Sequence, residues 1–290
     1  MPDDALRPVL LDFLYELREK DIPLMIGGGY GLFLKQEHLA RSSYTRTLLP
    51  PKEWPQARAT NDIDLLLRPE ILVAPEHMDT LRETLDRLAF EPVEGAEYYQ
   101  FEKPLGAGRA VRFDFLTGPP SQFAHRQDLR IDPRRIRPRQ SVGLHAHPLE
   151  AAIAYEKEAT RVAVTGLRSN GAPYRADILV PQAFTYMLMK LFAFRDRRDD
   201  PDKEMARHHA LDLYRVAAMM TEVEYEVVRR LATENREASV VREAGRIVAE
   251  FFSSSTALGM LRIREHPLYS DDMDIEEVLR LLAELFPRAE

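Results

Sequence analysis

The chain has no cysteine among its 290 residues. That absence removes disulfide scaffolds, zinc–thiolate centres and thiol nucleophiles together. There is a single tryptophan, and no apolar run approaches the roughly 18–20 residues that a membrane-spanning helix needs. The start, Met1-Pro2-Asp3-Asp4, lacks the basic and apolar regions of a secretory signal. A cytoplasmic protein with no membrane association is therefore expected. Positive charge is not in surplus either. Lys and Arg number 40 against 47 Asp and Glu, a net of −7, which argues against a globally cationic nucleic-acid coat. With 45% apolar and 30% charged residues, the composition is that of a globular chain. Its length suits one large domain or two ordinary ones.

What is present is concentrated between residues 58 and 67: Arg58-Ala59-Thr60-Asn61-Asp62-Ile63-Asp64-Leu65-Leu66-Leu67. Residues i and i+2 of a strand point to one face, so Asp62 and Asp64 project side by side. Two uncompensated carboxylates in a half-buried strand are costly, or force one to take up a proton. An oxygen-seeking divalent cation, most simply Mg²⁺, removes that cost. A solvated pair on an edge strand is the plainer reading, and the apolar run that follows argues against it. Upstream, Ile22-Pro23-Leu24-Met25-Ile26 reads as a strand entering Gly27-Gly28-Gly29, after which a helix begins near Tyr30. A glycine turn at a helix N-terminus is suited to an anion, although taken alone it is also an ordinary turn. Downstream, 110–116 alternates so that Val111, Phe113 and Phe115 share one face and Arg112 and Asp114 the other. Asp114 is the third candidate carboxylate, with a surface pair to Arg112 as its plainer reading.

Around these motifs the periodicity predicts a first helix with one apolar stripe (Leu6, Val9, Leu10, Phe13, Leu14, Leu17) and a second through Met78, Leu81, Leu85 and Leu88. Strands are expected at 141–147, 160–165 and 174–180, with a turn at 167–173 and a helix over 149–158. Beyond Pro181 the pattern becomes helical, near 182–197, 204–220, 222–234, 238–252 and 274–285. The reading is α+β: a mixed sheet with helices over 1–180, then a helical domain over 181–290. One charged stretch stands out. Arginines 126, 130, 134, 135, 137 and 139 face only Asp128 and Asp132, a local net of +4. It reads as a solvated loop or as an arm that meets phosphates.

The glycine turn, Arg-x-Thr-x-Asp-x-Asp before a hydrophobic strand, and the later acidic strand residue resemble the DNA polymerase β-type nucleotidyltransferase fold. A second block, Met189-Lys190-Leu191-Phe192-Ala193-Phe194-Arg195-Asp196-Arg197 followed by Arg207-His208-His209-Ala210-Leu211-Asp212-Leu213-Tyr214, is similar to the AbiEii branch of that superfamily. That branch contains nucleotidyltransferase toxins of bacterial toxin–antitoxin and phage-abortive systems. The resemblance touches residues 22–215. It implies an N-terminal nucleotidyltransferase domain, with the helical domain contributing a Lys and an Asp to the site. It further implies transfer of a nucleoside monophosphate from an NTP to RNA, at a tRNA 3′ end, blocking translation. In this reading Asp62, Asp64 and Asp114 hold Mg²⁺ or Mn²⁺. Gly28, Gly29, Arg58, Thr60, Lys190 and Arg195 meet the nucleotide. RNA and a cognate antitoxin are the expected partners; DNA is not.

Asp114 would complete an acceptor-side metal or take the proton of the attacking hydroxyl. Lys190 sits in an apolar helix, where a lysine must snorkel out, pair, or face a polar cavity. Asp212 is expected as the buried partner of Lys190 or of another site cation, or as a catalytic group. His208 and His209 diverge by about 100° on a helix and do not readily share one ion. This chain departs from the family in two places. Tyr30 stands where a Ser or Thr commonly follows the glycines, so that phosphate contact is either missing or taken over by backbone N–H groups. An insertion at 37–57 is expected beside the acceptor pocket. Two other readings fit the residues: a transferase for a small hydroxylated, aminoglycoside-like acceptor, and a non-catalytic NTP- or partner-binding module.

Overall fold

All six apolar positions of the first predicted stripe are buried, in and just after α1 (Leu6–Glu16). In the computed structural model, which describes residues 4–42, 46–56, 60–106 and 108–288, the chain divides into two units. The first is Met1–Lys35 with Ala59–Pro181, and the second is Gln36–Arg58 with Gln182–Glu290. After α1 come β1 (Met25–Ile26), α2 (Gly28–Arg41), β2 (Asp62–Leu66), α3 (Pro69–Leu72) and α4 (Pro75–Arg87). Then follow β3 (Glu91–Pro92), β4 (Gln100–Gly106), β5 (Arg109–Thr117), β6 (Leu129–Ile131), β7 (Ile136–Pro138), β8 (His147–Pro148), β9 (Thr160–Leu167) and β10 (Pro173–Val180).

The sheet of the first unit is mixed and runs β3-β4-β5-β2-β1-β10-β9, with β8 also on β5, while β6 and β7 form a separate ribbon. The pairs β2–β5 and β1–β10 are parallel, whereas β1–β2, β4–β5 and β9–β10 are antiparallel. Apolar packing sets the register. Ile63 lies opposite Phe113, and Leu65 opposite Phe115, all four at 1% exposure or less. Phe113 meets Phe13 of α1 edge to face at 5.0 Å and Phe90 at 4.7 Å. A slip of one residue would turn this set outward and drive the aspartates into the core.

The sequence pattern of 149–158 is helical, but the chain there forms turns, with Ala154 and Glu158 in the left-handed region. The reason is tertiary. Tyr155 is fully buried, and its hydroxyl donates to the Leu67 carbonyl at 2.8 Å. That same oxygen accepts from Thr117 Oγ1 at 3.0 Å. A continuous helix is given up so that this hydroxyl reaches the carbonyl of the residue just beyond β2. The expected strand at 141–147 is likewise reduced, to a bridge between Ile136 and Ala146 and the two-residue β8. Pro148 has no N–H with which to extend it.

The second unit is built of α5 (Ala183–Arg197), α6 (Arg207–Ala218), α7 (Glu222–Glu234), α8 (Ser239–Phe251), α9 (Leu258–Arg264) and α10 (Ile275–Leu285). The short α9 has no counterpart among the predicted helices. Side-chain caps start three of the others: Gln182 accepts from Thr185 N, Thr221 from Glu224 N, and Asp274 from Glu277 N. The described part of the insertion is fastened to this unit. Leu48 N donates to Met220 O at 2.8 Å and Leu49 N to Ala218 O at 3.1 Å. The lone Trp54 serves loop packing, its indole N–H donating to Leu49 O at 3.0 Å.

Tyr155→Phe is expected to lower unfolding free energy by about 1 kcal/mol, because one buried donor is lost while Thr117 still satisfies Leu67. Urea titration followed by circular dichroism measures it. An unchanged midpoint would mean that the hydroxyl does not hold the 149–158 turn.

Candidate functional site

The parallel pairing of β2 with β5 places Asp62 opposite Arg112 and Asp64 opposite Asp114. Three carboxylates therefore occupy one face of two neighbouring strands. Like charges directly opposite on a sheet are destabilising. Asp114 bears the consequence: its pKa is raised to about 7, first by burial and then by the charges of Asp64 and Asp62. Arg112 and a side-chain hydrogen bond from Gln100 oppose that shift. Gln100 lies across from Asp114 on β4 and is a site residue that sequence reading missed. Only the β4–β5 register marks it, since Gln100 and Asp114 are 14 positions apart. Asp114 Oδ1 is buried with no hydrogen-bond partner among the described residues.

The glycine turn closes on the same carboxylates. Gly27 N donates to Asp64 O at 2.8 Å, and Gly31 N to Gly27 O at 2.8 Å, which starts α2. Gly28 has φ +59°, and a Cβ built there would lie 1.6 Å from Asp64 Oδ2. The Asp64 carboxylate thus rests on bare backbone in the first turn of α2. Gly29 follows in that turn, at the positive end of the helix dipole. Tyr30 is buried, and its hydroxyl donates to the Asp4 carboxylate, 3.1 Å from each oxygen. Thr60 Oγ1 accepts from Asp62 N at 3.4 Å, just before β2. Arg58 lies outside the described residues.

Among the described residues no three His, Asp or Glu side chains form a group that could hold a metal ion as they stand. The local chemistry nevertheless fits a divalent cation. Asp114 has an orphaned buried oxygen, and its protonated form is favoured by burial and by its two anionic neighbours. A cation among these groups would relieve both the repulsion and the orphaned oxygen.

In the second unit, Lys190 and Asp212 are brought together. Lys190 Nζ donates to Asp212 Oδ2 at 2.8 Å, and Arg215 Nη1 donates to Asp212 Oδ1 at 3.0 Å. Arg215 also reaches Gln36 Oε1 at 2.8 Å. Asp212 is 0% exposed, Arg215 1% and Lys190 6%, so one carboxylate holds two interior cations. Arg195 is not part of this cluster. It pairs with Asp196 at 2.8 Å and Glu243 at 3.3 Å, over the Phe192 ring. His208 and His209 go to separate partners. Nδ1 of His208 meets His266 Nε2 at 2.8 Å, while His209 Nε2 meets Arg197 at 2.7 Å.

No protein-family model matches the sequence, and no curated protein does either. Among solved structures, the chain is similar to the solution structure of the antibiotic-resistance factor ANT(2'')-Ia. The two share 14% identity and a TM-score of 0.37, over 84% of this chain and 99% of that one.

Two outcomes test this geometry. Gly28→Ala is expected to lower the melting temperature by several degrees, because φ +59° is unfavourable for alanine and its Cβ would collide with Asp64. A melting temperature equal to wild type would show that the turn does not clamp Asp64. Asp114 also costs stability as it ionises. Its folded pKa of about 7 lies above the ordinary 3.8, so the native state holds a proton that the unfolded state has lost, and stability falls as pH rises through that window. Asp114→Asn should therefore melt above wild type at pH 8 in EDTA, with the difference shrinking towards pH 4. A constant offset across that range would contradict the shift.

Proposed function

We propose that the first unit is a metal-dependent nucleotidyltransferase that moves a nucleoside monophosphate from an NTP onto RNA, at a tRNA 3′ end, and acts as a translation-blocking toxin. The observation that carries the reading is the register of Asp64 against Asp114, with Asp62 on the same face and the Asp64 carboxylate on the Gly28 backbone. Phosphoryl chemistry of this class depends on positioning and charge neutralisation more than on covalent steps. Asp62 and Asp64 would hold Mg²⁺ or Mn²⁺, which when bound neutralises the crowded phosphate oxygens.

The chain's own residues do the rest. The first turn of α2, with Gly28 and Gly29 and no hydroxyl from Tyr30, offers backbone N–H groups and the helix dipole to the β- and γ-phosphates. Asp114 stands on the strand beside Asp64 and takes the proton from the acceptor hydroxyl. As that oxygen bonds the α-phosphorus, the bond from the α-phosphorus to the bridging oxygen breaks. Pyrophosphate leaves with that electron pair. The toxin role and the RNA acceptor follow from the resemblance to the AbiEii branch. A cognate antitoxin belongs to the same reading.

The test is transfer of α-labelled nucleotide to deproteinised RNA, with Mg²⁺ and each of the four NTPs in turn. Wild type is expected to label a tRNA-sized band, and Asp64→Ala to lose that label by roughly 10³-fold while keeping its circular dichroism spectrum. Label found only on a small cationic acceptor would replace RNA with that acceptor. No label from any NTP, with Mg²⁺ or Mn²⁺, would end the enzymatic reading.

A further inference from the structure

The arginine-rich stretch folds into a two-stranded ribbon with opposed faces. In β6 and β7, Leu129 lies opposite Pro138, Arg130 opposite Arg137, and Ile131 opposite Ile136. Leu129, Ile136 and Pro138 are buried, so the ribbon turns one apolar face inward. The other face presents two arginines directly across from each other, an arrangement that costs stability and gains nothing locally.

The aspartates nearby do not relieve it. Asp128 is held by Arg126 at 2.8 Å and 3.0 Å. Asp132 caps the turn by accepting from Arg134 N and Arg135 N at 2.9 and 2.8 Å, and pairs with the Arg135 side chain. Arg130, Arg134 and Arg139 are exposed, while Arg137 donates to the Pro138 and Gln140 carbonyls. None of these four has an acidic partner among the described residues. The local field is correspondingly positive. The neighbouring His145 is driven down to about 4 by burial, then by Arg137 and Arg135.

The ribbon is also fastened beside Asp114. Ile136 and Ala146 exchange backbone hydrogen bonds at 2.8 and 2.9 Å. The next residue, His147, pairs with Leu116, two positions beyond Asp114 and roughly 7 Å along the strand. His147 Nδ1 is 2.9 Å from Arg134 O. His145 N donates to Tyr98 O at 2.8 Å, two residues before Gln100. Backbone bonds to Tyr98, just before β4, and the pairing of β8 with β5 therefore tie the segment that follows the ribbon to the strands that carry Gln100 and Asp114.

We infer that the β6–β7 ribbon is the surface on which the acceptor RNA lies, with Arg130, Arg134, Arg137 and Arg139 contacting successive backbone phosphates. The inference deepens the nucleotidyl-transfer reading and rests on it for the choice of RNA. Arg139 follows β7 directly, two residues after Arg137, and Arg130 and Arg134 extend the charge across the ribbon and its tip. Charge spread in this way suits a repeating polyanion better than one compact triphosphate. Guanidinium groups suit phosphate oxygens for their fork of donors.

The test measures binding of a labelled tRNA-sized RNA to the full chain in EDTA without NTP, at 50 and 200 mM salt. R130Q/R137Q is expected to bind roughly tenfold or more weakly at the lower salt, with the salt slope reduced by about 0.7 per lost contact. R130K/R137K should recover most of the affinity. R242Q/R246Q, which makes the same charge change on α8, should bind as wild type does. Equal weakening by both glutamine pairs, or no weakening by the ribbon pair, would each overturn the inference. Because NTP and metal are absent, the two readings fail separately. Ribbon-dependent RNA binding without transfer would remove the enzymatic reading and leave the surface. Transfer to RNA with an unchanged KM in R130Q/R137Q would do the reverse.

Discussion

The parallel register that sets Asp64 against Asp114 is the constraint on which the first unit turns. It is imposed from the opposite face of the sheet. Ile63 with Phe113 and Leu65 with Phe115 are buried pairs of the same two strands, and their burial fixes which polar residues meet on the other side. The apolar face supplies the energy, and the polar face carries an electrostatic cost as a result. Such a cost persists where it has a use. The raised pKa of Asp114 and its orphaned oxygen are two expressions of that cost.

The arrangement around Gly28 follows from the same constraint. With β1 antiparallel to β2, the turn after Ile26 falls beside Asp64, and only a residue without a side chain fits there. Glycine at that position is required twice, by its positive φ and by the space the carboxylate fills. The helix that starts at this turn then brings the positive end of its dipole to the carboxylate face. Strand register, turn and helix start are one coupled device.

The second unit meets its electrostatic demand differently. Asp212 accepts from Lys190 and from Arg215 with the two oxygens of one carboxylate, in a nearly solvent-free interior. Buried groups of this kind hold together only while every member is present, because removing the anion would strand two cations. The β6–β7 ribbon is the contrast. Its facing arginines, Arg130 exposed and Arg137 half-buried, leave much of that cost to water.

By itself the sequence determined the local periodicities: the apolar stripe of α1, the alternation that puts Asp62 with Asp64 and Arg112 with Asp114, the turn between β9 and β10, and five of the six helices after Pro181. These are legible because each depends on residues a few positions apart along one element. Tertiary structure alone decided which elements are neighbours. It placed Gln100 across from Asp114, set Arg130 against Arg137, added Arg215 to the expected pair of Lys190 and Asp212, and broke the helical pattern of 149–158 so that Tyr155 reaches Leu67. Pairing between distant segments is fixed by how buried faces fit together. Local periodicity carries no record of that fit, and so the register emerged only with the fold.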